Sequence, residues 1–110
     1  MLKHLLFVLA IIGLNSCVNC DGYTKNYVLD KSTHKPIPNV EVLSVAAVKG
    51  NQYEEKYHYT DSAGWFETTY SMTGMGKCPI FKLTLTKAGY QTARQIDPQI
   101  GDTLFMQPLQ

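Results

Sequence analysis

The residues able to do chemistry are few and scattered. The 110-residue chain holds three Cys, three His and nine carboxylates, and its one arginine is Arg94. Cys17-Val18-Asn19-Cys20 has the CxxC spacing that thiolate metal sites use, but no spaced His or Cys cluster completes it. Cys78 has no His close in sequence; His34 sits in a predicted turn and His58 in a predicted strand. Asp21, Asp30, Glu41, Glu54, Glu55 and Glu67 are spread along the chain, and no acidic loop has calcium-binding spacing. Glu54-Glu55 reads as a solvated pair. There is no Gly-x-Ser-x-Gly elbow, and Gly74-Met75-Gly76-Lys77 lacks the glycine spacing and hydroxyl of a phosphate loop. The expectation is no catalytic set, no metal, no cofactor and no enzyme. A net charge of +1 gives no basic field, which disfavours a nucleic-acid partner.

The one segment with directed chemistry is the beginning. Met1-Leu2-Lys3-His4 is a short positive start, and residues 5–14 (LLFVLAIIGL) carry no charge. Ten helical residues reach about 15 Å, half the hydrocarbon thickness of a bilayer. The length and the positive flank fit a secretory signal rather than a membrane span. Leu14-Asn15-Ser16-Cys17 resembles the lipobox of bacterial lipoproteins. The resemblance implies lipidation of the Cys17 thiol, cleavage before it, and acylation of the new amino group. Asn15 departs from the small residue commoner there. One acyl chain anchors weakly at about 0.8 kcal/mol per methylene, whereas two or three hold durably. Val18 stands where an Asp would retain the protein at the inner membrane, which favours the bacterial outer membrane. Removing residues 1–16 takes away Lys3 and leaves nine basic and nine acidic residues, so attraction to anionic lipid is not the anchor.

The elements that must position everything else are short and strand-like. Apolar residues make up 45% and aromatics 11%, enough to bury a core in one domain. Residues 17–22 read as a tether and 23–110 as the domain. Strands are predicted at 25–30, 40–48, 54–60, 65–70, 80–87, 90–96 and 103–107, with no helical periodicity over three turns. Residues 80–87 alternate most cleanly: Phe81, Leu83 and Leu85 face one side, Lys82, Thr84 and Thr86 the other. Residues 40–48 are apolar on both faces, as a central strand or a contact surface would be. Tyr57 and Tyr59 share one face of their strand; Lys56, His58 and Thr60 share the other. Asp61-Ser62-Ala63-Gly64 is a tight turn, expected to close a hairpin, after which Phe66 enters the core. Residues 71–77 read as a flexible loop.

Four motifs in order then resemble a known family. Val28-Leu29-Asp30, Lys35-Pro36-Ile37-Pro38-Asn39-Val40-Glu41-Val42, Thr60-Asp61-Ser62-Ala63-Gly64-Trp65-Phe66 and Lys87-Ala88-Gly89-Tyr90 look like the pattern of carboxypeptidase regulatory-like domains. The resemblance covers about residues 25–107 and implies an all-β, seven-stranded transthyretin-like sandwich. Asn26 stands where the family usually has Gly. Hydroxyisourate hydrolases share that fold, but they use His and Arg and end in Tyr-Arg-Gly-Ser, whereas this chain ends Met106-Gln107-Pro108-Leu109-Gln110.

With Cys17 lipidated, Cys20 and Cys78 remain as thiols in an oxidising compartment, where a disulfide between them is one reading. A small buried apolar Cys78 is the other. The function expected is binding, adhesion or assembly in the envelope, anchored to a membrane by lipid, with an envelope protein or carbohydrate as partner. The alternatives are an accessory module of an outer-membrane transport or secretion complex, and a small hydrolase. An aromatic face near Tyr53, Tyr57, Tyr59 and Trp65 would favour binding. A pocket holding His58, Arg94 and a carboxylate would favour catalysis.

Overall fold

The structure, a computed structural model, describes residues 18–48, 51–74 and 78–109. The predicted signal peptide and Cys17 lie outside the described residues. Seven strands follow in order: β1 Val18–Asp30, β2 Glu41–Val48, β3 Asn51–Tyr59, β4 Trp65–Gly74, β5 Ile80–Thr86, β6 Ala93–Ile96 and β7 Thr103–Met106. They form two sheets, β4-β1-β7 and β3-β2-β5-β6, with no helix among the described residues. The protein is an all-β, seven-stranded sandwich.

Side-chain parity builds the core. In β5, Phe81, Leu83 and Leu85 are buried while Lys82 and Thr86 are exposed and Thr84 half-buried. β2 sits between β3 and β5, which is why both of its faces can be apolar: Val42 and Ala46 face inward, and Val45 and Ala47 are covered by neighbouring strands. Across the gap, β1 contributes Cys20 and Val28, β4 contributes Phe66 and Tyr70, and β7 contributes Leu104 and Met106.

Several expectations are corrected. The tether at residues 17–22 is strand from Val18 onward, since β1 pairs with β4 from Val18↔Gly74 to Tyr27↔Trp65. The same pairing extends β4 through Gly74, so residues 71–74 are not loop. Gly22 is what lets this ladder pack: a side chain there would overlap the Tyr70 ring. The turn at Asp61 does not close a hairpin, because β3 and β4 belong to different sheets; it is a corner between them. Gly64 makes that corner with φ +84°, and a Cβ would lie 2.7 Å from the Val28 carbonyl oxygen. β6 begins at Ala93 rather than residue 90, and Tyr90 instead bridges to Pro108.

Asn26 is fully buried and polar. It accepts from the Thr24 hydroxyl at 2.7 Å and donates to the Gln99 carbonyl at 2.9 Å, which ties β1 to the loop between β6 and β7. The Asn26 side chain makes a loop contact that a glycine at this position could not make. A second buried polar pair crosses the core, with Thr68 of β4 donating to the Ser44 hydroxyl of β2 at 3.1 Å.

Candidate functional site

The corner at residues 61–64 sets the geometry of an aromatic cleft that spans both sheets. Asp61 Oδ1 accepts from the backbone amides of Ala63 and Trp65, both at 2.9 Å, and Asp61 N donates to the Trp65 carbonyl. The side chain of Asp61 is therefore consumed in fixing where Trp65 begins its strand. The Trp65 ring lies against Tyr27 of β1, centroids 4.8 Å apart, and Lys25 Nζ stands 5.3 Å from its ring. Two rungs along, the Tyr23 hydroxyl donates to Glu67 Oε2 at 2.9 Å, and that bond raises the Tyr23 pKa. On the other sheet, Tyr57 and Tyr59 project outward, 60% and 61% exposed. Tyr59, Asp61, Trp65, Glu67 and Lys25 line a depression of about 280 Å³ at the β3–β4 edge.

That depression holds two kinds of group. Trp65 and Lys25 are held in place by neighbours, while Tyr59 is a free ring. The flanking amine and carboxylates offer charged hydrogen-bond partners beside apolar ring surface. The arrangement can recognise a flat or ring-shaped polar ligand; it offers no nucleophile activated by a base. The side chain of Tyr53 lies outside the described residues, so the expected aromatic face is reported from Tyr57, Tyr59 and Trp65. Tyr57 and Tyr59 are on one sheet and Trp65 on the other, and only Tyr59 and Trp65 share the depression.

The residues that a hydrolytic site would need are kept apart. His58 faces inward beneath β3, where its Nε2 is buried without a partner, and burial followed by the nearby Lys56 charge lowers its pKa. Lys56 donates to the Thr69 carbonyl of β4 at 2.8 Å and pairs with Glu54 at 2.8 Å, closing the β3–β4 edge. Arg94 lies on the opposite face, beside Leu43, Val45, Glu55, Lys82 and Ile96 in a shallow depression of about 300 Å³. His34 stands in the turn after β1 with φ 61°, near the Phe105 ring. Among the described residues no three His, Cys, Asp or Glu side chains gather as a metal-binding group.

The structure joins Cys20 and Cys78 in a disulfide, with Cα atoms 5.4 Å apart. Cys20 is buried near the start of β1 and Cys78 is exposed just ahead of β5. β1 and β5 start at the same end of the sandwich, so the bond links the two sheets there. At the other end the Tyr90 hydroxyl donates to Asp30 Oδ2 at 2.7 Å. The other carboxylate oxygen of Asp30, Oδ1, caps the turn through the amides of Ser32 and Thr33, a pairing that sequence reading did not find.

These two sheets define a β-sandwich protein, and comparison with known proteins agrees at that level. No family model matches the chain, and no curated protein matches its sequence. Among solved structures, the chain is similar to the C-terminal domain of the shaft pilin SpaA from Lactobacillus rhamnosus GG, with TM-score 0.52 and 8% identity. That match covers 82% of this chain and 99% of the pilin domain. A 9R-lipoxygenase from Cyanothece matches with TM-score 0.48 and 16% identity over 77% of this chain and 16% of the lipoxygenase.

Proposed function

We propose that this chain is a lipid-anchored, non-catalytic domain of the bacterial cell envelope, of the carboxypeptidase regulatory-like kind, that works in binding, adhesion or assembly. The observation that carries the binding role is the Tyr59–Trp65 cleft. A free tyrosine ring stands beside a tryptophan already held by Tyr27 and Lys25, with Glu67 at hand. Such a cleft suits an envelope carbohydrate or a segment of an envelope protein, since rigid aromatics lose little freedom on binding. A non-catalytic role is supported by the separation of His58 and Arg94 onto opposite faces of one sheet. The likeness to a pilin domain is in keeping with adhesion or assembly. Anchoring rests on the sequence of residues 1–17, with Val18 favouring the outer membrane.

Two measurements test this reading. Replacing Cys17 with Ser abolishes incorporation of labelled fatty acid and moves the protein out of the membrane fraction; retention with unchanged labelling refutes the anchor. Tyr59→Ala weakens binding to the responsive member of a panel of envelope polysaccharides and purified envelope proteins by about 2 kcal/mol or more, the scale of a central aromatic contact. Binding unchanged by Tyr59→Ala and by Trp65→Ala removes the cleft from the function.

A further inference from the structure

The anchor and the sheet are joined without slack. Val18, the residue after the lipidated Cys17 of the reading above, is already paired with Gly74 in β1. Two residues further on, Cys20 is buried and bonded to Cys78 at the head of β5, in the other sheet. Asp21 then accepts from the Ser71 hydroxyl at 2.9 Å. Fully extended, the chain from Cys17 to Cys20 spans only about 10 Å. Residues 18–26 have β4 alone as a strand partner, because β7 joins β1 only from Tyr27 onward. Without a second attachment that stretch is the part of the sheet best placed to peel away and act as a leash. The disulfide supplies the second attachment.

We infer that the Cys20–Cys78 end of the sandwich is a lipid-facing surface, resting against the leaflet that holds the acyl chains of Cys17. The inference depends on the anchored reading and adds to it an orientation. β1 and β5 begin at this end, β4 and β2 finish here, and β3 begins here, so Val18, Gly74, Val48, Asn51 and Ile80 share it. Ile80 is a large apolar residue left exposed there. Trp65 lies opposite Tyr27, nine residues up β1 from Val18. At about 3.3 Å per residue, the Tyr59–Trp65 cleft stands about 30 Å along the strand from the leaflet. The domain acts as a short strut that presents its cleft away from the lipid. Nine basic and nine acidic residues after Cys17 give no net attraction to anionic headgroups, and the orientation follows from the short link between Cys17 and the disulfide.

Trp65 is the only tryptophan and reports its own distance. The full chain is expressed in a host that processes lipoproteins, its N-terminal mass is measured, and it is reconstituted into phosphatidylethanolamine vesicles carrying a dansyl acceptor on the headgroup. Energy transfer is compared between the native protein and a Trp65→Phe, Ile80→Trp variant. Transfer from the Ile80→Trp position is several-fold above transfer from Trp65, and added salt or anionic lipid leaves the ratio unchanged. A flexible twelve-residue Gly/Ser insert directly after Cys17 gives a leash of about 20 Å and brings the two positions close to equal. An acylated protein with equal transfer from both positions overturns the orientation and leaves the anchor standing. So does a difference that survives the insert. A chain without acyl mass overturns the anchor and the orientation together.

Discussion

The two ends of the sandwich are closed by different chemistry from the same strand. β1 sends Cys20 inward at its beginning and Asp30 inward at its end, and each meets a residue flanking β5. At the Cys20 end the link is covalent. At the Asp30 end it is a hydrogen bond from Tyr90 to a carboxylate, supported by the capped turn at residues 31–34 and by the Thr60 hydroxyl, which accepts from Val40 N at 2.9 Å and donates to the Ile37 carbonyl at 2.6 Å. The reason lies in what each end can bury. Around Asp30 the core is made of Val28, Ile37, Val40, Val42, Leu85 and Met106, all closely packed. Around Cys20 the β1 sequence offers Asn19, Asp21 and Gly22, and the packing depends on Tyr70, which crosses to donate to the Pro79 carbonyl and packs its ring at 5.0 Å from Phe81. Where apolar side chains run short, a disulfide takes over the work of holding the sheets together.

The largest expected effect is common to both ends. Leu83 is 1% exposed at the middle of β5. Leu83→Ala lowers stability by about 2–5 kcal/mol in chemical denaturation, with one transition. A change below about 0.5 kcal/mol would mean that the face is solvated.

Next comes the covalent end. Replacing Cys20 and Cys78 together by Ser costs up to about 4 kcal/mol on chain-entropy arithmetic. The comparison predicts where the loss falls: amide exchange quickens first in residues 18–24 and 68–74, while amides near Val28 and Val40 keep their protection. Uniform quickening along β1 would show that the two ends are not separately held. Thiol titration of the denatured, unreduced wild-type domain lacking Cys17 finds none free; two would contradict the bond.

How much of this was legible beforehand follows the same division. The Asp30 end lies within motifs whose residues signal their own geometry: prolines at 36 and 38, Asp and Gly at 61 and 64, Gly before Tyr90. β5 was legible because it alternates, and β2 because it does not. The first half of β1 was illegible, since Val-Asn-Cys-Asp-Gly at 18–22 has no apolar alternation and few strand-forming side chains; it is strand because β4 pairs with it and Cys78 holds it. Asn26 gave no signal of its loop contact because the carbonyls to which it donates lie more than 70 residues away. The cleft was half legible. Tyr59 and Trp65 were both singled out, but reading the turn between them as a hairpin placed them in one sheet, and it is the crossing to the second sheet that lets them face a common depression.

The link at the Asp30 end titrates, whereas the disulfide at the Cys20 end does not. The Tyr90 hydrogen bond, with those from the turn amides, lowers the Asp30 pKa, and the same carboxylate raises that of Tyr90. A lowered carboxylate pKa stabilises the fold above the ordinary value of 3.8, and the contribution is lost as pH falls through the folded value. A raised tyrosine pKa stabilises it below 10.0 and is lost as pH rises through the folded value. Tyr90→Phe therefore removes the Tyr90 share of the slope at the alkaline limit, where Tyr23 and Tyr70 keep theirs, and lessens the slope at the acid limit in part, because the Ser32 and Thr33 amides remain on Asp30. An alkaline profile identical to wild type would remove this bond from the stability of that end.

The smallest effect separates the β3–β4 edge from both ends. His58 sits under β3 with Nε2 buried and unpartnered, and its pKa is lowered first by burial and then by Lys56. The neutral ring is the form the fold accepts. Its contribution is fully present above the ordinary value of 6.5 and is lost as pH falls through the depressed folded value. His58→Gln keeps a neutral polar side chain there and removes that mild-acid slope while leaving the slopes at the two limits. The His58 imidazole titrates below 6.5 by NMR, and amides of β3 respond to it more than amides beside Cys20 or Asp30. A His58 value at or above 6.5 would mean that the edge is open to water, and that Lys56, bonded across to Thr69, does not close it.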